Sequence, residues 1–525
     1  MMRSTPWQSR AHRFWFRLCN VCLSVYVAYI TYLSHSGLFQ SKGQTIAALL
    51  IFAALCVGLY LFFGWGCQQL SGWEPKKRQK EHLDWRVFGA GMLIALGIFG
   101  CAFAAVYPGG VNYDLSNQWR QLHSGEFNNW HPLLHTLLLW LITRIWDSYP
   151  FVVLVQIIVF AAALSYFTAT LHRCGAPAWL ALVVHAFVAL SLPVRNTLMY
   201  PGKDAAMTIG ILILCAQGVR ILYTGGEWLK KPLHWVLFGL ALAYTGMVRH
   251  NGMMWTLVLL AVVFFALPAR KHTALAAGVM AAVMLLVQGP LYGALDVVYP
   301  SNFTEESVGL PMTVLGDIRQ KEPEALDEEA LAFLNQLAAE EAWQHTYQQH
   351  NYNSIKFTYP REYIKDTPVT EILGMALRSA IAAPRTAFEA VNGLTDIVWD
   401  VTGQNEGYSP VSNSGGIPEA SYGNTRLNQL GQKALRLLDT PMSWQPLRYL
   451  GQNIGVQLLL LLLATLLALY RRGVRALVLT LPTLIYDLGT MLLLCGNDAR
   501  FFQFSMTVSM GCILALLYLP KEEKE

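Results

Sequence analysis

Charged residues are scarce in this chain of 525 residues. Lys, Arg, Asp and Glu make up 14% of the sequence, whereas hydrophobic residues make up 54%. An ordinary soluble protein carries about a quarter charged residues, and one of this length would form several domains that each need a charged surface. The composition therefore excludes a soluble enzyme, a disordered scaffold and a nucleic-acid-binding protein.

The longest polar stretch, residues 296–452, contains none of the nine cysteines. A domain exported to a disulfide-forming compartment usually carries cysteine pairs, so no disulfide framework is expected there. Cys19 and Cys22 form a CxxC pair inside an apolar run, where we interpret them as packing residues. The basic N-terminus precedes that run without a clear small-residue cleavage site, which favours a retained first span over a signal peptide.

Apolar runs close to 20 residues long recur along the chain, which is the length that crosses about 30 Å of hydrocarbon. We therefore predict an all-α polytopic membrane protein with about twelve transmembrane helices. The predicted spans are Phe14–Leu33, Thr45–Phe63, Val87–Val106, Phe151–Leu171, Ala178–Leu192, Ala205–Leu222, Trp235–Met247, Met253–Leu267, Ala274–Leu295, Ile454–Tyr470, Val474–Cys495 and Phe501–Leu519.

The distribution of Lys and Arg predicts the sidedness of these spans, because basic residues concentrate in cytoplasmic loops. The bias is greatest when both termini are cytoplasmic and the apolar stretch Leu133–Trp146 does not cross. We predict that this stretch is an interfacial helix in the first large outer loop. The predicted division is an N-terminal transmembrane module (1–295) with outer loops 108–149, 194–204 and 248–252, an extracytoplasmic domain (296–452) and C-terminal transmembrane helices (453–525).

The predicted extracytoplasmic domain is mainly helical by pattern. Pro323–Gln349 has leucines at helical spacing and is predicted to form an amphipathic helix. Thr370–Asp400 is also helical in pattern, and Thr402–Gly423 is rich in Gly, Ser, Asn and Pro, which is typical of a loop. No motif in this domain indicates a role.

Unusual polar residues gather in four loops on the predicted outer side. Polar groups at membrane depth are expensive, so their convergence on one side suggests a shared site. Taken singly, each has an ordinary explanation, such as a solvated acid, an exposed ion pair, an arginine snorkelling to the interface or an aromatic belt. The candidates are Asp114, Gln118, Trp130, His131, Lys203, Asp204, Arg249, Asn251, Asp498 and Arg500.

Metal binding is the less favoured alternative for this site. His131 and His135 stand four residues apart and could share a metal face on a helix. No third ligand is evident in the sequence. We therefore predict no cofactor, and a divalent metal is an open alternative that the sequence does not favour.

At these residues the sequence resembles the polytopic glycosyltransferases of the GT-C superfamily, which includes protein O-mannosyltransferases and aminoarabinose transferases, and it is most similar to a less characterised bacterial branch. In those families an acidic residue in the first outer loop precedes a helix that begins with a His/Pro motif, matched here by Asp114 and by His131-Pro132. Lys203-Asp204 matches a second acidic loop, and Arg500-Phe501 matches a late arginine followed by an aromatic residue. A leucine follows Asp114 where mannosyltransferases carry a second acid, which favours a metal-independent version.

The resemblance implies an inverting transfer of sugar from a polyprenyl-phosphate or pyrophosphate donor, on the outer face of a bacterial inner membrane. Asp114 would then be the general base that deprotonates an acceptor hydroxyl. The cations Lys203, Arg249 and Arg500 would stabilise the phosphate that leaves, and His131 would donate a further hydrogen bond. Asp204 would orient Lys203 or bind sugar hydroxyls. The acceptor, whether protein, lipid or glycan, stays open.

Three other classes of protein are compatible with parts of the pattern. A transporter or lipid flippase also has about twelve spans, but it usually carries ionisable groups near the bilayer midplane and an internal repeat, and neither feature is evident. A non-catalytic cell-envelope assembly protein would not need the acid together with its basic partners. A different lipid-linked enzyme, such as a glycan ligase or polymerase, also uses outward-facing Arg and His.

Overall fold

The fold was analysed in a computed structural model that describes residues 10–34, 42–72, 82–359, 362–402, 410–413, 416–417 and 424–519. These residues form helices and no β-strand, with three isolated bridges between extended segments. The prediction of an all-α protein is confirmed for this part of the chain.

The described residues up to 294 form a series of α-helices joined by short turns. Among them are a 3-10 helix, Glu227–Lys230, and a π-helical turn, Val287–Leu291. The α-helices are α1 (Arg10–Ser34), α2 (Lys42–Leu70), α3 (Trp85–Ala105), α4 (Tyr113–Ser124), α5 (Leu133–Thr143), α6 (Tyr149–Arg173), α7 (Ala178–Leu190), α8 (Leu192–Leu198), α9 (Lys203–Tyr223), α10 (Pro232–Val248), α11 (Gly252–Ala266), α12 (Arg270–Leu286) and α13 (Tyr292–Ala294).

The rest of the chain forms shorter helices and then returns to long apolar ones. The α-helices are α14 (Thr304–Ser307), α15 (Gly309–Lys321), α16 (Glu328–Leu337), α17 (Glu340–His345), α18 (Asn353–Lys356), α19 (Glu362–Asp366), α20 (Val369–Ala382), α21 (Pro384–Trp399), α22 (Arg426–Leu438), α23 (Gln445–Gln452), α24 (Ile454–Arg472), α25 (Leu481–Met491) and α26 (Gln503–Tyr518). The 3-10 helices are Pro323–Ala325, Thr440–Ser443, Val474–Leu479 and Ala499–Phe502.

Among the described residues, eight helices are long and apolar enough to cross a membrane. The sequence predicted a span at the position of each of these eight helices. The chain is therefore a polytopic membrane protein. The eight are Arg10–Ser34, Ile46–Leu70, Trp85–Ala105, Tyr149–Arg173, Lys203–Tyr223, Arg270–Ala294, Ile454–Arg472 and Ala499–Tyr518.

The other four predicted spans are shorter or broken helices, so the count of twelve stays a prediction. The span predicted at Ala178–Leu192 is a pair, α7 and α8, bent by 63°, with Pro193 as the second residue of α8. α10 has 17 residues and α11 has 15. In the predicted span Val474–Cys495 a 3-10 helix precedes α25, which has 11 residues and Pro482 as its second residue. Proline suits a first helical turn because its missing N–H would have no partner there.

The stretch that the sequence placed in the interface forms α5, a helix of 11 residues. At 1.5 Å per residue such a helix is roughly 16 Å long, about half of the hydrocarbon thickness. Its length agrees with the prediction that it does not cross, whereas the sidedness of the loops stays a prediction.

The long helices differ greatly in how far they are enclosed. In the most apolar stretch of α9, 89% of the residues are buried. The corresponding share is 6% in α2 and 11% in the helix Arg270–Ala294. An apolar helix that is enclosed lies at the centre of a bundle, and one that is not faces lipid. The N-terminus of α9, which carries Lys203 and Asp204, is therefore the central point of one end of the bundle.

Close approach of α10 to α12 depends on Gly239. A Cβ atom there would lie 2.6 Å from the carbonyl oxygen of Ala276 and 2.7 Å from Cβ of Val279. We expect Gly239→Val to lower the thermal unfolding temperature in detergent, because overpacking costs about 1–3 kcal/mol. The matched control is Gly278→Val on α12, where a Cβ atom would meet nothing within 4 Å; an equal loss in both variants would contradict this account.

The region 296–452 is helical as predicted, but its two predicted long helices are each divided. Pro323–Gln349 contains α16 and α17, because Ala338 and Ala339 have extended backbones. Thr370–Asp400 contains α20 and α21, which separate at Ala383 where Pro384 begins the second helix. Most of the predicted loop Thr402–Gly423 lies outside the described residues.

The 296–452 region contacts the C-terminal end of α3, where the first outer loop begins. The side chain of Asn428 on α22 donates to the backbone oxygen of Tyr107 at 3.1 Å and to that of Ala104 at 3.2 Å. Bridges join Val111 to Asn413 and Asn128 to Val298. The loop that carries Asp114 is therefore held between the bundle and the 296–452 region.

Candidate functional site

The acidic and basic candidates lie where helices begin or end at one end of the bundle. Asp114 lies in the first turn of α4, and Lys203 is the first residue of α9. Arg249 follows the last residue of α10 with an extended backbone, and Arg500 lies in the 3-10 helix before α26. Side chains at helix ends can leave the apolar bundle, so these positions allow charges from distant segments to meet.

The local sequence fixes Asp114 at the start of α4. The side chain of Asn112 caps the helix by accepting the backbone N–H of Leu115 at 2.9 Å, and Gly125 ends the helix with φ 76°. A capped helix N-terminus favours a negative charge. Asp114 is therefore held as a carboxylate on a fixed element.

Asp114 is the centre of the cluster. Its Oδ2 atom lies 3.1 Å from Nζ of Lys203 and 3.5 Å from Nη1 of Arg500, and its Oδ1 atom lies 4.0 Å from Nε2 of His131. The Asp114 side chain remains 31% exposed. The structure thus brings together one carboxylate, two cations and an imidazole from four separate segments.

His131 accepts a hydrogen bond from Lys203 as a neutral imidazole. Its Nδ1 atom accepts from Nζ of Lys203 at 3.0 Å. Burial and then the Lys203 charge lower the pKa of His131 to about 3, so the ring is uncharged at neutral pH. Because Nδ1 accepts, the proton lies on Nε2, the atom that faces Asp114.

The pKa of Asp114 lies well below its usual range. Burial opposes ionisation, but the charges of Lys203 and Arg500 outweigh it. An aspartate with so low a pKa is ionised throughout the neutral range, and it is also a weak base.

A second set of charges adjoins the first. Nη1 of Arg249 lies 2.9 Å from Oδ1 of Asp204, and Nε of Arg500 lies 2.8 Å from Oδ2 of Asp498. The ring of Phe501 lies beneath both guanidinium groups, 5.0 Å from Cζ of Arg249 and 5.1 Å from Cζ of Arg500. The cations are therefore positioned by acids on one side and by an aromatic face on the other.

Three candidates occupy other positions. The buried side chain of Gln118 donates to Oγ1 of Thr136 and contacts Nδ1 of His135, which joins α4 to α5. Trp130 stacks on Phe303 with the rings 5.4 Å apart. Asn251 lies at the start of α11, and its side chain does not cap that helix. It lines neither the polar cavity nor the apolar cavity that adjoin the site. Whether any candidate binds substrate stays a prediction.

The sequence did not identify the contribution of the 296–452 region. Asn351 and Asn353 line a polar cavity of about 360 Å³ together with Asn112, Tyr200 and Asn497. The polar run 348–353 was the feature of the sequence that could have indicated this contribution. Its position relative to Arg500, however, depends on the tertiary fold.

No three His, Cys, Asp or Glu side chains among the described residues gather so that they could hold a metal ion. His131 precedes α5, whereas His135 lies within it and contacts Gln118. The two histidines therefore do not form the shared helix face that their spacing suggested. The ammonium group of Lys203 contacts both Asp114 and His131.

An apolar cavity of about 790 Å³ begins beside the charged cluster. Pro201 and His135 line it near the cluster, and from Ala206 it continues along α9 to Gln217. Eleven helical residues correspond to roughly 16 Å. The segment 200–206 thus separates an apolar cavity from a polar one, with Lys203 between them.

No protein-family model matches this sequence, and no curated protein matches it. A solved structure, the cryo-EM structure of the arabinosyltransferase EmbB from Mycobacterium smegmatis, is similar over 83% of this chain with 12% sequence identity and a TM-score of 0.32. The chain spans 45% of the length of that protein.

Proposed function

We propose that this protein is a membrane glycosyltransferase that transfers a sugar, with inversion, from a polyprenyl-phosphate or pyrophosphate donor to an acceptor hydroxyl. The site would face the extracytoplasmic side of a bacterial inner membrane, with both termini cytoplasmic. The carboxylate of Asp114 in contact with Lys203 and Arg500 is the observation that carries the proposal. The resemblance of the loop motifs to GT-C enzymes supports it.

The shape around the cluster suits a lipid phosphate. The apolar cavity can take an isoprenoid tail, because it begins beside Lys203 and follows α9 into the bundle. The phosphate at the head of such a tail would meet Lys203 and Arg500. Two cations in a site with little water stabilise the charge that grows on a leaving phosphate.

Donor binding also makes Asp114 a stronger base. The charges of Lys203 and Arg500 lower its pKa in the structure. A bound phosphate draws on the same charges, so the pKa of Asp114 rises toward the range in which a carboxylate can take a proton from a hydroxyl. The hydroxyl oxygen then attacks the anomeric carbon, its proton passes to Asp114, and the bond from that carbon to the phosphate oxygen breaks.

A direct test uses the full chain in liposomes with undecaprenyl phosphate carrying a neutral hexose or pentose, and a cell-envelope extract as acceptor. We expect mass spectrometry to detect free undecaprenyl phosphate and an acceptor that gains one sugar. A flippase would move the intact donor between leaflets without breaking its sugar–phosphate bond. Donor that crosses the bilayer and stays intact would therefore refute the enzyme and favour transport.

A further inference from the structure

The polar cavity lies directly behind the proposed phosphate site. Arg500 lines this cavity and also contacts Asp114, and Asp204, which lines it too, follows Lys203 in the chain. A group attached to a phosphate between Lys203 and Arg500 would therefore enter the cavity, whereas the tail would follow the apolar one.

The lining of the cavity suits hydroxyl groups. It includes asparagine side chains from four segments, represented by Asn112, Asn196, Asn353 and Asn497. An amide both donates and accepts hydrogen bonds, and a hydroxyl does the same. A polyhydroxylated ligand can therefore satisfy such a lining in several orientations of its hydroxyl groups.

Each acid of the lining has a basic partner, although one of these partners, Arg249, lies outside the lining. Asp204 is paired with Arg249 at 2.9 Å, and Asp498 with Arg500 at 2.8 Å. An acidic ligand would bring a charge without a partner, and an unpaired charge in a partly buried site is costly. The balance favours an uncharged ligand.

The 296–452 region contributes its asparagines through a fixed segment. The backbone N–H of Asn353 donates to the oxygen of Cys495 at 3.0 Å, and a Cβ atom at Gly496 would lie 2.7 Å from Nδ2 of Asn353. Upstream, Nδ1 of His350 lies 2.6 Å from Oδ2 of Asp317, and the backbone of His350 has φ 60°. A residue seldom adopts this conformation unless its surroundings hold it there, so Asn353 is positioned by contacts on both sides.

We infer that this cavity binds the transferred sugar of the donor, that the sugar is neutral, and that Asn353 of the 296–452 region helps to determine which sugar is accepted. The inference rests on the proposed function, and it gives that region a part in specificity. The juxtaposition of Asn353 with the segment 496–500 is the observation that supports it.

The test separates the sugar from the lipid phosphate. The probes are farnesyl phosphate alone and farnesyl phosphate carrying glucose, mannose, arabinose or glucuronate, each titrated against the full chain in nanodiscs. A neutral sugar should improve affinity about tenfold over farnesyl phosphate, since a few hydrogen bonds contribute that much, and glucuronate should not. Asn353→Leu and Asn196→Leu should reduce this gain to less than twofold without changing the affinity for farnesyl phosphate.

The control is Asn424→Leu, an exposed asparagine outside the cavity, which should keep the full gain. If farnesyl phosphate binds and no neutral sugar adds affinity, the sugar site is wrong while the proposed phosphate site stands. If farnesyl phosphate does not bind, the proposed function fails, and saturation-transfer NMR with the free sugars decides the cavity separately. A free-sugar signal that Asn353→Leu abolishes would support the sugar site, and the absence of a signal would overturn it.

Discussion

Replacing Asp114 with asparagine should lower the rate of sugar transfer by about 10²- to 10⁴-fold, the usual contribution of a general base. Asparagine keeps the shape of the side chain but cannot take a proton. It also removes the anion that contacts Lys203 and Arg500. The donor phosphate would then no longer compete with the Asp114 carboxylate for these cations, so donor affinity should stay equal or increase.

The measurement is the initial rate at saturating donor, together with donor affinity by titration. Asp147→Asn is a suitable control, because Asp147 follows α5 closely in the chain, is 59% exposed and pairs with His123 at 3.2 Å. It should leave both quantities unchanged. Transfer by Asp114→Asn at close to the normal rate would show that another group is the base.

Removing the guanidinium group of Arg500 should weaken binding of the lipid phosphate by about 10- to 100-fold, because a hydrogen bond to a charged group contributes roughly 1.5–3 kcal/mol. The variant is Arg500→Ala, with affinity for farnesyl phosphate as the measurement. Arg500→Lys should recover part of the affinity, since it keeps the charge but not the planar fork. Arg385→Ala, at a side chain that is 90% exposed, should have no effect.

Arg500→Ala should also shift the pH dependence of the remaining activity. Arg500 is one of the charges that hold the pKa of Asp114 low, so its removal raises that pKa. Asp114 then becomes protonated at a higher pH as the solution is acidified. The acid limb of the rate profile should therefore move to higher pH, and an unchanged limb would mean that the titrating base is not Asp114. Unchanged affinity for farnesyl phosphate would remove Arg500 from the phosphate site.

Much of the fold could be predicted from the distribution of charge. A charge inside hydrocarbon is costly, so the long uncharged runs marked the helices that are able to cross a membrane, from α1 to α26. The short and broken helices were harder to predict from the sequence, because a run of apolar residues does not show where the backbone turns. α8 is bent by 63° from α7, and α25 follows a 3-10 helix, with Pro193 and Pro482 in the first turns of α8 and α25.

The candidate site was predictable in part. The convergence of four loops pointed to Asp114, Lys203 and Arg500, which the structure does bring into contact. The same reasoning included Gln118, whose side chain joins α4 to α5. It did not identify Asn353, because neutral amides are ordinary in a polar region and carry no signal by themselves.

The sequence by itself determined that this protein must place its apolar helices in lipid and its rare charges at their ends, since the cost of burying charge is a local property of each segment. Only the tertiary structure decided which of those charges meet. Arg500 and Asp114 are 386 residues apart in the chain, and no spacing rule acts over that length. Their contact depends on α4, α9 and the 3-10 helix before α26, which all begin at the same end of the bundle.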